Sequence, residues 1–129
     1  MLPVYPFAAP PAASVTLPVA PGILWLRMPL PFALNHINLW LLEDDAGWTI
    51  VDTGFALDAV RECWLAILES LNRSTRGGRV TRIIVTHFHP DHLGLAAWLQ
   101  ERTAAPVCMT VGEYLTAHAV WHEVGGHGN

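Results

Sequence analysis

The chain has 129 residues, of which 52% are hydrophobic and 14% charged, with a formal net charge of −4. That length allows one domain or part of one, and the apolar content excludes a disordered chain; ten Gly and ten Pro without a period exclude a collagen-like fibre. The acidic balance, in which all seven basic residues are Arg, argues against a nucleic-acid partner held through phosphate neutralisation.

Residues 1–22 read as a Pro/Ala-rich leader ahead of a domain spanning 23–129. Prolines at 3, 6, 10, 11, 18 and 21 prevent a helix there, so the leader is expected to be loosely ordered. It lacks the basic start and unbroken apolar core of a signal peptide. The apolar stretch 23–42 is interrupted by Arg27, Pro29, Pro31, Asn35, His36 and Asn38, so it is not read as a membrane span. The cytoplasm is the expected compartment, with no membrane partner.

From Ile23 the chain alternates strand-like and helical runs. Ile23–Met28 and Ile37–Leu42 are predicted strands, and the turn cluster 43–47 returns Trp48–Asp52 as a hairpin partner. Over 57–72 the period changes: Leu57, Val60, Trp64, Ile67, Leu68 and Leu71 recur at helical spacing. Val80–Thr86 is the next strand, followed by a helix over 92–102, a short strand over Pro106–Thr110 and a helical segment over 112–123. This order predicts an α/β layered fold. The strands are continuously apolar, as in a sheet covered on both faces, yet the helices can cover only one. Cys63 and Cys108 lie in apolar runs and are expected to behave as small hydrophobes, and the six tryptophans mainly as core.

The chemistry concentrates in residues 86–94, Thr-His-Phe-His-Pro-Asp-His-Leu-Gly. On an extended segment His87 and His89 present both imidazoles to one side, and Pro90 then turns the chain so that Asp91 and His92 approach from another angle. Three imidazoles and a carboxylate suit a divalent cation, zinc first, while iron and manganese take the same donors. Six consecutive residues rarely wrap one zinc, so two adjacent ions are expected, one favouring His87 and His89, the other Asp91 and His92. The ordinary alternative is a polar loop of surface histidines. Chance disfavours it, since such a cluster arises about once in a thousand chains of this composition.

These residues, together with Val51-Asp52-Thr53-Gly54 upstream and the strand Asn38–Leu42, resemble the metallo-β-lactamase fold superfamily, and within it the hydroxyacylglutathione-hydrolase-like branch. The resemblance covers about residues 23–115. It implies the amino-terminal half of an αβ/βα sandwich, with a mixed sheet and its helices on one face. It further implies that His87 and His89 bind a first metal, that Asp91 and His92 bind a second, and that Asp52 orients the metal loop by hydrogen bonding. The ordinary alternative for Asp52 is a carboxylate capping the Thr53–Gly54 turn. By the same resemblance a metal-bound hydroxide attacks a small ester, thioester or lactone, and Asp91 is the catalytic proton acceptor.

The family pattern is not completed in this sequence. It requires a third His, a bridging Asp and a last His further along, and Gly126-His127-Gly128 lies too close to His92 to serve. A truncated domain is therefore expected, its apolar sheet face covered by a missing carboxy-terminal half or by a homodimer. Two alternatives to the hydrolase stand beside it: a non-catalytic fragment that binds metal weakly or a partner, and a mononuclear iron enzyme oxidising sulfur. His118 and His122 share a helix face without the HExxH order, and His36 is expected to be a hydrogen-bonded loop histidine.

Overall fold

The computed structural model describes residues 1–74 and 77–126, with side chains described as far as Trp121. Six strands form one sheet in sequential order: β1 (Leu17–Ala20), β2 (Ile23–Pro29), β3 (His36–Asp44), β4 (Gly47–Val51), β5 (Val80–Ile84) and β6 (Val107–Cys108). The first four pair antiparallel through hairpins, whereas β4, β5 and β6 are parallel. Helix α1 (Asp58–Asn72) makes the crossover from β4 to β5, and α2 (Pro90–Leu93) with α3 (Ala96–Thr103) makes the next one; α4 (Val111–Gly126) follows β6. Consecutive right-handed crossovers advancing in one direction put their helices on the same face of a sheet.

The register shows what each face does, because cross-strand partners share a face. Leu24, Leu41, Ile50, Ile83 and Val107 form one row across β2 to β6. Leu41, Ile50 and Ile83 in that row are fully buried, under Val60, Trp64 and Ile67 of α1 and Leu99 of α3. The next row, Leu17, Trp25, Trp40, Val51, Ile84 and Cys108, lies on the opposite face. There no residue is fully buried: five are half-buried and Cys108 is exposed. Helices thus cover one face, and the other is left open, its apolar row flanked by Arg27, Asn38, Thr49 and Arg82. Trp25 and Trp40 stack at 6.3 Å on that face, and Phe7 packs edge-on against Trp25.

Several expectations change. The sheet begins inside the segment read as a loose leader, because Leu17–Ala20 pairs with β2. Pro18 is tolerated because β1 is an edge strand, where a missing N–H costs no ladder bond on the open side. The helix expected over 92–102 is two pieces, since the Leu95 amide leaves the helical pattern and donates to Thr53 Oγ1 at 3.1 Å, after which Leu95 caps α3. Cys63 is a buried hydrophobe, but Cys108 is exposed at the end of the open-face row. Trp48 and Trp64 are core; Trp25 and Trp40 are half-buried on the open face, Trp98 is half-buried against the edge of the core, and Trp121 is exposed. Among the described residues, no helix is long and apolar enough to cross a membrane.

Candidate functional site

Parallel strands gather chemistry at their carboxyl ends, where the chain leaves the sheet. Asp52 stands just past β4 and the segment from Thr86 just past β5. Asp52 has φ 65°, a left-handed conformation that an Asp tolerates at a cost of about 1–3 kcal/mol. Its amide still bonds across to the Ile84 carbonyl at 2.8 Å, so the strand end is fixed while the side chain turns toward the neighbouring loop.

That side chain organises the loop. Asp52 Oδ1 accepts the Thr86 N–H at 2.7 Å, and Thr86 Oγ1 lies 2.8 Å from Asp52 Oδ2. With its amide drawn to a carboxylate, Thr86 leaves the ladder, which is why β5 ends at Ile84 rather than at Thr86 as expected. Asp52 Oδ2 also accepts from His92 Nδ1 at 2.8 Å. Asp52 therefore does not cap the Thr53–Gly54 turn.

Burial pushes the Asp52 carboxyl upward, but the hydrogen bonds from His92 and Thr86 outweigh it and hold the group below its ordinary value. The His92 imidazole is raised by its hydrogen bond to Asp52 against the opposing effect of burial, with the charges of Asp52 and Asp91 adding to the rise. With Nδ1 engaged as donor, Nε2 is the ring nitrogen left to face the site, 3.5 Å from Asp91 Oδ2.

Thr53 completes the junction. Its N–H and its hydroxyl both donate to the His92 carbonyl, at 2.9 and 2.7 Å, and its own carbonyl accepts from Trp64 Nε1 at 2.7 Å. Gly54 and Gly94 bring the two segments together: a Cβ on Gly94 would lie 2.4 Å from the Pro90 carbonyl oxygen and 2.9 Å from that of Gly54.

His87, His89 and His92 are brought together as rings. His87 lies 4.0 Å from His92 and 4.8 Å from His89, centroid to centroid. His87 and His89 do not ride on an extended strand, because residues 87–88 form a bend, and the rings meet nearly at right angles. His87 Nδ1 is 2.8 Å from Thr86 Oγ1, so that ring too has one nitrogen engaged. His89 precedes Pro90 at the start of α2, and Asp91 and His92 sit in its single turn. Among the described residues, no group of three or more His, Cys, Asp or Glu is assembled to hold a metal ion as it stands. The donor types fit a divalent cation and their grouping is compact, but the convergence of a complete ligand sphere is missing.

The outlying candidates lie elsewhere. His36 Nδ1 is 2.9 Å from both Arg27 and Asn35 at the start of β3, an ordinary hydrogen-bonded position. His118 packs its ring 4.4 Å from Tyr114 on α4. The side chain of His122, and His127 altogether, fall outside the described residues. Sequence reasoning passed over Thr53 and Thr86, although both stand inside the motifs it used, and over Glu113, whose carboxylate accepts the Phe88 N–H at 2.8 Å. The spacing Thr110-x-x-Glu113, a helix-capping pattern, was the available signal for Glu113.

Comparison with known proteins agrees with this architecture. The metallo-beta-lactamase superfamily model matches residues 33–126, and the chain belongs to that superfamily. Its members typically bind metal ions. More particularly, the chain is 35% identical over 95 residues to a hydroxyacylglutathione hydrolase of Pseudomonas aeruginosa, covering 72% of this chain and 33% of that protein. A beta-lactamase domain protein from Burkholderia ambifaria superposes with TM-score 0.77 at 48% identity, over 96% of this chain and 40% of its own. A metallo-beta-lactamase family protein from Thermus thermophilus superposes with TM-score 0.56 at 32% identity, over 65% and 27%. The chain thus spans about a third of the hydroxyacylglutathione hydrolase it matches.

Proposed function

We propose that this chain carries the metal loop of a metal-dependent hydrolase acting on a small ester, thioester or lactone. Among these, the similarity to hydroxyacylglutathione hydrolases favours a thioester. The observation that carries the reading is the fixing of His92 by Asp52, which turns Nε2 toward Asp91 beside the His87 ring.

In this reading His87, His89, Asp91 and His92 would hold two divalent cations in a complete site, zinc by preference, with iron or manganese suited to the same donors. Such ions supply Lewis-acid polarisation of a carbonyl and acidification of water. The chain's own groups position the loop. Asp52 sets the orientation and tautomer of His92, Thr53 fixes the height of the His92 carbonyl, and Asp91 Oδ2, half-buried beside His92, would accept the proton given up by the attacking water.

One observation favours a second reading for the chain by itself. Because no three donors are assembled among the described residues, the chain alone would bind metal weakly and act as a non-catalytic binding module. The open apolar row from Leu17 to Cys108 supports an association of this kind, with a second copy or with further polypeptide laid on that face.

The test is hydrolysis of a model thioester, an ester and a lactone by the zinc-treated chain, with zinc content measured in parallel. Zinc-dependent turnover that disappears in Asp91→Asn supports the hydrolase. Zinc content well below one equivalent with no turnover supports the non-catalytic module.

A further inference from the structure

Helix α4 leaves much of its apolar surface exposed. Its apolar residues Val111, Tyr114, Leu115, Val120 and Trp121 are exposed, whereas Glu113 is half-buried and Ala117 buried. Glu113 and Ala117 are four residues apart and share a helix face, so α4 meets the body along a line that begins with a carboxylate. Beneath the rest of the helix lies a cavity of about 530 Å³, lined by Leu93, Ala97, Met109, Tyr114, Ala117 and Trp121 among others. A half-buried acid on that inner line needs a polar partner.

The partner is the loop. Glu113 Oε2 accepts the backbone N–H of Phe88, the residue between His87 and His89, at 2.8 Å. The Thr110 hydroxyl accepts the Glu113 N–H at 3.3 Å, and the Tyr114 N–H donates to the Thr110 carbonyl at 3.0 Å, so the first turn of α4 is held in place. In a capping box the Glu would reach back to its own helix start; here the carboxylate is directed to the loop instead. A charge-assisted hydrogen bond to a backbone amide is among the stronger ones available, and this amide lies at the bend that sets how the two imidazoles meet.

We propose that Glu113 is a positioning residue for the His87–His92 loop, fixing the Phe88 amide and through it the relative placement of His87 and His89. The proposal rests on the metal reading given above. It assigns the start of α4 a role in ordering the loop from the side opposite Asp52, so that the bend is gripped from two elements.

The experiment compares wild type, Glu113→Ala and Glu113→Gln. The Phe88 amide proton is followed by NMR without metal, zinc affinity by chelator competition, and the ligand field by the visible spectrum of the cobalt form. In Glu113→Ala the Phe88 proton is expected to move upfield, zinc affinity to fall about tenfold, and the cobalt spectrum to change. Glu113→Gln retains an acceptor oxygen and is expected to recover most of each signal. A wild-type zinc affinity and cobalt spectrum in Glu113→Ala would overturn the proposal while leaving the metal reading intact. A wild type that takes up neither metal would sink that reading and the positioning role with it, even if the Phe88 proton still moved. Should the alanine variant fail to fold, Glu113→Asp, one methylene shorter, takes its place under the same criteria.

Discussion

The backbone carbonyl of His92 is held twice by one residue, accepting both the N–H and the hydroxyl of Thr53 at 2.9 and 2.7 Å. The same hydroxyl accepts the Leu95 amide, so a fully buried oxygen joins the strand end to both short helices of the loop. Thr53→Val keeps the shape and removes the oxygen. It leaves the Leu95 N–H without its partner, and about 2–3 kcal/mol of stability is expected to be lost in urea unfolding of the metal-free chain. Thr53→Ser, which keeps the hydroxyl, is expected to lose less than half of that. Equal stability of the valine variant and wild type would contradict the assigned role.

Asp52 acts on His92 through charge as well as geometry. Asn fits the shape and tolerates the left-handed backbone of position 52, so Asp52→Asn isolates the charge. Because Asp52 is the main cause that raises His92, the imidazole is expected to titrate lower in the variant when its ring protons are followed by NMR. The stability sign follows from both partners. The Asp52 value is lowered, so its contribution is present above the ordinary carboxylate value of 3.8 and lost as pH falls through the folded value. The His92 value is raised, so its contribution is full below 6.5 and fades as pH rises through the folded value. The stability gap between wild type and Asp52→Asn is therefore expected to be widest between those two limits. A gap that grows steadily toward alkaline pH would contradict the pairing.

Gly94 tests the close approach of the two segments. Its added Cβ would meet the carbonyl oxygens of Pro90 and Gly54, backbone atoms that cannot swing away. Gly94→Ala is expected to cost about 3 kcal/mol, or to prevent folding. Gly112→Ala, where a Cβ meets nothing within 4 Å in the first turn of a helix, is expected to be neutral or to stabilise by up to about 1 kcal/mol. Similar melting temperatures for the two variants would mean that the junction is looser than described.

Much of the sheet was legible in the sequence because its strands are apolar runs bounded by Pro, Gly and Asp. The open face was legible too, from the unbroken apolarity of the strands, although Trp25 and Trp40, expected in the core, stand on it half-buried. What escaped were features set by contacts distant in sequence. Strand β1 could not be read from Leu17-Pro18-Val19-Ala20, because only its pairing with β2 makes it a strand. The break at Leu95 depends on a hydroxyl 42 residues away. The composition of the candidate loop was visible in Thr86–Gly94, but its internal order was not: His87 is nearer to His92 than to its motif neighbour His89. Glu113 is the extreme case, a capping residue by spacing that serves another element.

Zinc titration of the chain against a chromophoric chelator, with His87→Ala, His89→Ala and Cys63→Ser in parallel, tests the metal loop most directly. The expected result is weak but measurable uptake by wild type and by Cys63→Ser, whose thiol is buried, and loss of that uptake in both histidine variants. Equal zinc affinity in all four proteins would contradict the account.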